Sequence, residues 1–146
     1  MDAEKFESVF KRVDELDADG LMELTRQLIN GDTTIPPGKN YRETVDAIKP
    51  YFEKMGYDTE EVVVPEDLVK KIPYPLEGPR INLVATKEFE GAEDWVSFYA
   101  HMDVVPAPND GKKKWRFDPF EATMIKSGKI YGRGTADMKG SIACTI

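Results

Sequence analysis

His101 is the residue whose type and position most suggest chemistry, and it is the single histidine among the 146 residues. It directly follows the apolar run 95–100, which predicts a buried strand that ends at this point. In an open α/β sheet, ligands bind at the carboxyl ends of the strands. The position of His101 is therefore compatible with a functional role. A single imidazole is nevertheless a severe limit, because most zinc or triad chemistry within one chain needs more than one.

Asp103 stands two residues after His101. If the backbone stays extended, both side chains point to the same side, about 6.6 Å apart along the strand. A carboxylate so placed can accept the rear N–H of the imidazole and fix its tautomer. The alternative is a lone histidine at a strand end beside a solvent-facing aspartate, and the short pattern leaves it open.

Asp137 follows a glycine-rich corner at residues 132–136. Its two glycines allow positive φ and a close backbone approach, so the turn could hold one carboxylate at a defined point. The alternative is an ordinary helix N-cap, a position that aspartate favours. The motif alone does not separate the two.

Three helices are predicted before the first strand. Apolar spacing of three and four predicts an amphipathic helix over 3–16. A second short helix has Asp19 as its N-cap and ends at residues 30–32. A third helix spans about 40–55, with Gly56 in the position after its C-cap.

Strands dominate the second half. Residues 61–64, 81–85 and 95–100 are predicted strands, 122–131 a hairpin, and 137–146 the opening of a helix. Continuous apolar runs indicate strands covered on both faces. We therefore expect an α/β fold in which helices pack on a mixed, mostly parallel sheet.

The composition excludes several function classes. With 20 Lys+Arg against 27 Asp+Glu, the net charge is −7, which argues against binding to nucleic acid or an anionic membrane. The single Cys144 cannot form an internal disulfide. The first residues do not resemble a secretory signal, and no apolar stretch reaches the length of a membrane span. These features predict a cytoplasmic protein.

Three longer strings then occur in order: YAHMDVVP at 99–106, WRFDPF at 115–120 and GKIYGRGTADMKG at 128–140. Together they closely resemble the M20 metallopeptidase and deacylase family. That family includes acetylornithine deacetylases, succinyl-diaminopimelate desuccinylases, aminoacylases and glutamate carboxypeptidases. The resemblance extends over essentially the whole chain. It implies a zinc-peptidase-like catalytic domain, of which residues 1–146 are the incomplete N-terminal part.

The resemblance also implies roles for the three polar residues. His101 is then a ligand of one metal ion, Asp103 the catalytic carboxylate behind it, and Asp137 the bridge between two divalent ions. Zinc is the implied metal and cobalt the alternative. Such ions activate a water that attacks an amide carbonyl. The implied reaction is deacetylation or desuccinylation of N-acyl amino acids, with a di- or carboxypeptidase acting on short peptides as the alternative.

The family pattern continues beyond Asp137 with a Glu-Glu pair, a further acidic ligand and a distal histidine. The nine residues after Asp137 contain no Asp, Glu or His. The resemblance also implies a lid or dimerisation domain, which we expect to lie outside residues 1–146. A full-length form that contains this domain is expected to be a homodimer. We therefore expect catalysis only within a longer chain. The rival interpretation is a non-catalytic remnant that acts as a binding module.

Three weaker patterns suggest other sites. Residues 15–20 are similar to a calcium loop, but the twelfth position is Arg26. The Gly-x-Gly at residues 132–134 lacks the final glycine of a dinucleotide fingerprint. The basic run 112–114 is interpreted as a solvated loop.

Overall fold

The computed structural model describes residues 3–108 and 114–146. Within these ranges the elements, in chain order, are α1 (Ala3–Asp14), α2 (Ala18–Asn30), α3 (Tyr41–Lys54), β1 (Asp58–Val63), α4 (Glu66–Val69), β2 (Ile81–Thr86), β3 (Thr123–Met124), β4 (Ile130–Tyr131) and α5 (Lys139–Thr145). Two residues of the basic run, Lys112 and Lys113, lie outside the described residues. Its interpretation as a solvated loop stays a prediction.

The three N-terminal helices are confirmed, with one corrected cap. The Asp17 carboxylate, not that of Asp19, accepts the backbone N–H of Gly20 at 2.9 Å. An N-cap must stand just before the first helical residue so that its oxygen reaches the N–H of N2 or N3. Asp19 already lies in the first turn of α2. The calcium-like pattern is therefore accounted for in part by a helix cap.

The α1 helix forms as predicted, but its apolar face is not buried. Val13 is 55% exposed and Phe10 is 64% exposed. No other element within the described residues packs against α1. Amphipathic spacing thus identified the helix correctly, but no described element covers its apolar face.

The core lies between α2, α3 and α5. Five buried residues form it: Leu24, Leu28, Ile48, Ile142 and Ala143. The α3 helix also packs on β1 and β2, and α2 packs on α5. This arrangement places the beginning of α5 beside the carboxyl end of α2.

The mostly parallel sheet is not confirmed. The described strands form two antiparallel pairs, β1 with β2 and β3 with β4. A single parallel bridge joins Thr34 to Val104 in this part of the chain. Burial alternates along β2, and Val84 is 43% exposed. One face of β2 is therefore more open, although its continuous apolar sequence suggested cover on both.

The predicted strand at 95–100 is also wrong. These residues form no strand, and Trp95, Val96, Phe98 and Tyr99 are between 70% and 87% exposed. A strand requires a neighbour for its backbone N–H and C=O groups. No described strand pairs with this segment, so its apolar sequence alone does not make it a strand.

The hairpin near the carboxyl end is confirmed in short form. Thr123 pairs with Tyr131, and Met124 pairs with Ile130. Gly128 has φ of 78°, which suits the turn between the two strands. Within the residues described, no helix combines the length and apolar character needed to cross a membrane.

The packing predicts how two aliphatic truncations differ. Leu28→Ala should lower the free energy of unfolding by about 2–5 kcal/mol, because Leu28 is 1% exposed and its loss leaves a cavity. Val13→Ala on α1 should change it by about 0.5 kcal/mol or less. Denaturant unfolding measures both values. Equal losses would show that α1 packs against the core.

Candidate functional site

His101 is positioned by the residues that follow α2. Thr33 is fully buried, and its hydroxyl donates to the Met102 carbonyl at 2.6 Å. The backbone N–H of Val104 donates to the Thr33 carbonyl at 3.2 Å, and that of Ile35 donates to the Val104 carbonyl at 2.9 Å. The segment beside His101 is therefore tied to the carboxyl end of α2 at three points.

The imidazole of His101 lies between two oxygen acceptors. Its Nε2 is 3.0 Å from Oδ1 of Asp137, which is 36 positions away in sequence. Its Nδ1 is 3.0 Å from the backbone carbonyl oxygen of Asp103. The backbone N–H of His101 donates to Sδ of Met138 at 3.3 Å. The structure thus brings His101 and Asp137 together, as the two motifs suggested.

Asp103 contacts His101 differently from the prediction. The backbone carbonyl of Asp103 lies within hydrogen-bond distance of Nδ1, whereas the nearer carboxylate oxygen lies 3.6 Å away. Residues 101–103 form no strand, so the strand on which the prediction was based is not present here. The tautomer of His101 is therefore set through the backbone of residue 103, with its carboxylate nearby as a negative charge.

Opposing effects set the pKa of His101, and the net result is a raised pKa. Burial is the largest single effect and lowers it. The hydrogen bonds to the Asp137 carboxylate and the Asp103 carbonyl, with the charges of both aspartates, outweigh burial. The protonated imidazole has an N–H on each nitrogen and so matches two acceptors.

Asp137 is not a helix cap. The N-cap of α5 is Met138, and the Asp137 side chain is 86% exposed beside His101. The peptide bond between Asp137 and Met138 is cis. The glycine corner is built for close packing: a Cβ on Gly132 would lie 2.6 Å from Cγ2 of Ile29. This corner brings the loop against α2 and presents the carboxylate at the surface.

Lys139 was missed by the sequence analysis. Its side chain is fully buried, and Nζ donates to the carbonyls of Leu28 at 2.7 Å and Gly31 at 2.5 Å. Burial lowers the pKa of Lys139 to about 8, although the nearby charges of Asp32 and Asp103 oppose this. One signal was available: a lysine in the first turn of a helix stands at the wrong end of the helix dipole.

A cavity of about 200 Å³ opens at the pair. His101, Asp103, Asp137 and Arg133 contribute to its lining, with the backbone of the glycine corner. Nη2 of Arg133 donates to the Pro106 carbonyl at 3.0 Å. The Arg133 guanidinium also lies over the Trp115 ring, 5.0 Å from its centre. Arg133 was not singled out from the sequence either.

The donor atoms at the cavity suit a divalent metal in type. Zinc binds imidazole nitrogen and carboxylate oxygen at about 2.0–2.2 Å, and the 3.0 Å between Nε2 of His101 and Oδ1 of Asp137 is compatible with two ligands of one ion. The described residues contain no group of three or more His, Cys, Asp or Glu placed to hold a metal. A metal ion at this pair would therefore have two ligands from the described residues.

Comparison with known proteins finds a family match that covers both residues of the pair. Residues 97–146, which include both His101 and Asp137, match the profile of peptidase family M20/M25/M40. This segment belongs to peptidase family M20/M25/M40. The M20 segment therefore contains both members of the imidazole–carboxylate pair.

Curated proteins similar to this chain include two desuccinylases and one deformylase. It is 53% identical over 70 residues, 46% of this chain, to the succinyl-diaminopimelate desuccinylase of Buchnera aphidicola subsp. Cinara cedri. It is 35% identical to that of Hydrogenovibrio crunogenus over 84% of the chain. It is 31% identical to the N-formyl-4-amino-5-aminomethyl-2-methylpyrimidine deformylase of Halalkalibacterium halodurans over 86% of the chain. The matches cover 18%, 27% and 26% of these relatives, respectively.

The contacts of His101 predict the effect of two substitutions on its pKa. Asp137→Asn should lower the pKa, because it removes both the carboxylate hydrogen bond and its charge. Asp103→Asn should lower it less, because the backbone carbonyl remains. NMR titration of the single imidazole measures both. An equal or larger fall in Asp103→Asn would contradict the geometry.

The same shift predicts a pH dependence of stability. Because the folded-state pKa of His101 is raised above 6.5, its contribution to stability is fully present below pH 6.5. It is lost as the pH rises through the folded-state pKa. Denaturant unfolding as a function of pH should show this loss in the wild type and a smaller one in Asp137→Asn.

Proposed function

We propose that this chain supplies part of the catalytic site of a metal-dependent hydrolase that removes an acyl group from nitrogen. The observation that carries the proposal is the approach of Nε2 of His101 to Oδ1 of Asp137 at 3.0 Å beside a cavity. These donors are brought together across 36 positions and left accessible, which is what a ligand pair requires.

The relatives support a deacylase over a peptidase. The names of the desuccinylases and the deformylase each refer to an acyl group, succinyl or formyl. We propose N-acyl amino acids as the substrate class, with removal of succinyl or acetyl as the reaction. Hydrolysis of dipeptides or of a carboxyl-terminal residue is the alternative within the same family.

In this proposal His101 and Asp137 would hold a divalent ion, zinc or cobalt, and Asp137 would also be a ligand of a second ion. Such ions, when bound, polarise a carbonyl and raise the acidity of water. The Nδ1–H of His101 donates a hydrogen bond to the Asp103 carbonyl, which leaves the Nε2 lone pair free for a ligand bond. A proton competes for the same lone pair, so metal affinity should rise with pH.

The size of the cavity supports a site of which this chain forms only one part. Small-molecule pockets typically have about 300–1,000 Å³, and this one has about 200 Å³. We propose that the remainder of the substrate, and the remaining metal ligands, contact parts of a longer protein. The cytoplasmic location and the homodimer of the full-length form stay predictions.

A non-catalytic binding module is the second candidate. The pair His101 and Asp137 gives each ion at most two ligands from this chain, whereas zinc sites use three or four protein ligands. A chain with only this pair could bind a partner without turnover. A comparison of this chain with a longer one separates the two functions.

The proposal predicts weak zinc binding and no hydrolysis by the 146 residues alone. Calorimetric zinc titration and an assay with N-succinyl and N-acetyl amino acids measure both. A chimera that continues this chain with the remainder of the Hydrogenovibrio crunogenus relative should bind two ions tightly and hydrolyse a substrate. An inactive chimera that binds both ions would favour the binding module.

Matched variants of the active chimera test the roles. Asp137→Ala should abolish hydrolysis even with metal in excess, because it removes a shared ligand. Asp103→Ala should reduce hydrolysis by no more than about 10–100-fold, because it removes the nearby carboxylate and keeps the backbone carbonyl at Nδ1 of His101. An active Asp137→Ala, or turnover by the 146 residues alone with two tightly bound zinc ions, would contradict these roles.

A further inference from the structure

Lys139 is buried between α2 and the loop that carries Asp137, and it has no role in the proposed reaction. Its Nζ donates to the carbonyls of Leu28 and Gly31 at 2.7 and 2.5 Å. The Leu28 carbonyl is among the last four of α2, which lack a partner inside the helix and carry negative partial charge. The ammonium group therefore ties the beginning of α5 to the end of α2.

The loop before Lys139 also packs against Lys139. The backbone N–H of Lys139 donates to the Gly134 carbonyl at 2.8 Å. A Cβ on Gly134 would lie 3.1 Å from Cδ of Lys139, so the loop backbone packs directly on the alkyl chain. Asp137 lies inside this closed turn, and its own side chain is 86% exposed. The anchorage of the loop, rather than packing of Asp137 itself, therefore fixes the carboxylate.

The other member of the pair depends on the same end of α2. Thr33 follows Gly31 by two residues, and its hydroxyl holds the carbonyl of Met102, next to His101. His101 and Asp137 are thus fixed to one helix end, the first through Thr33 and the second through Lys139.

We propose that Lys139 is a positioning residue, which holds the Asp137 carboxylate at Nε2 of His101 and so assembles the donor pair. Its relevance to hydrolysis rests on the proposed function. The proposal itself concerns the contact between the side chains of Asp137 and His101, which can be measured without metal or substrate.

Lys139→Met tests this, because it keeps the length of the side chain and removes the ammonium group. NMR titration of the single imidazole then measures the pKa of His101. We expect the pKa to fall as far as it does in Asp137→Asn, because His101 loses the carboxylate. Removal of a nearby cation alone would raise the pKa of His101, so the two effects differ in sign.

A double variant and a matched control complete the test. Lys139→Met combined with Asp137→Asn should show no further fall, since Lys139 acts through Asp137. Thr25→Val removes a buried hydrogen bond to the Leu21 carbonyl of the same helix and should leave the pKa of His101 unchanged. A folded Lys139→Met with an unchanged or raised pKa overturns the proposal.

Two further variants decide the matter if Lys139→Met does not fold. Lys139→Arg retains the charge and several donors, so the pKa of His101 should stay at its wild-type value. Lys139→Gln lacks the charge and is shorter, so the pKa should fall. Equal pKa values in the wild type and both variants overturn the proposal. Absence of hydrolysis by the chimera would overturn the proposed function alone, because this readout needs no catalysis.

Discussion

A buried ammonium group at the end of a helix is the interaction on which the site depends. Burying a charge in a protein interior is costly unless hydrogen bonds compensate for it. Lys139 meets this condition with two carbonyls at the negative end of α2. The contact joins the first and last helices of the core and fixes the loop that presents Asp137. The position of the Asp137 carboxylate depends on this contact.

The carboxyl end of α2 is the common support of two distant segments. The residues directly after it hold the backbone beside His101, while its last carbonyls hold Lys139. Neither His101 nor Asp137 is deeply buried, with side-chain exposures of 34% and 86%. Rigid supports beneath accessible donors are what a ligand pair needs, because accessible side chains do not fix their own positions.

Local patterns in the sequence predicted the local structure. The three helices and the hairpin follow from apolar spacing and from glycines at turns, which act over a few residues. His101 was singled out from its position after a predicted strand, Asp137 from the glycine-rich corner before it, and both from resemblance to a family. Apolar spacing and turn glycines can be read from the residues of one segment, without knowledge of what that segment contacts.

Long-range structure was harder to predict. The run 95–100 has the composition of a strand, but pairing depends on a neighbour that no local pattern specifies. The carbonyl of Asp103, rather than its carboxylate, lies within hydrogen-bond distance of His101, in a segment that forms no strand. The role of Lys139 arises from a contact across 111 positions with α2. Only a structure shows that this cation is buried.

The central claim is that His101 and Asp137 form one donor pair for a metal ion. Nitrogen NMR of the imidazole during zinc addition tests it most directly, because the chain has a single histidine. We expect zinc to shift the Nε2 resonance and to leave Nδ1 protonated. We also expect Asp137→Asn to require far more zinc for the same shift. Zinc bound at Nδ1, or bound elsewhere with the imidazole unaffected, would contradict it.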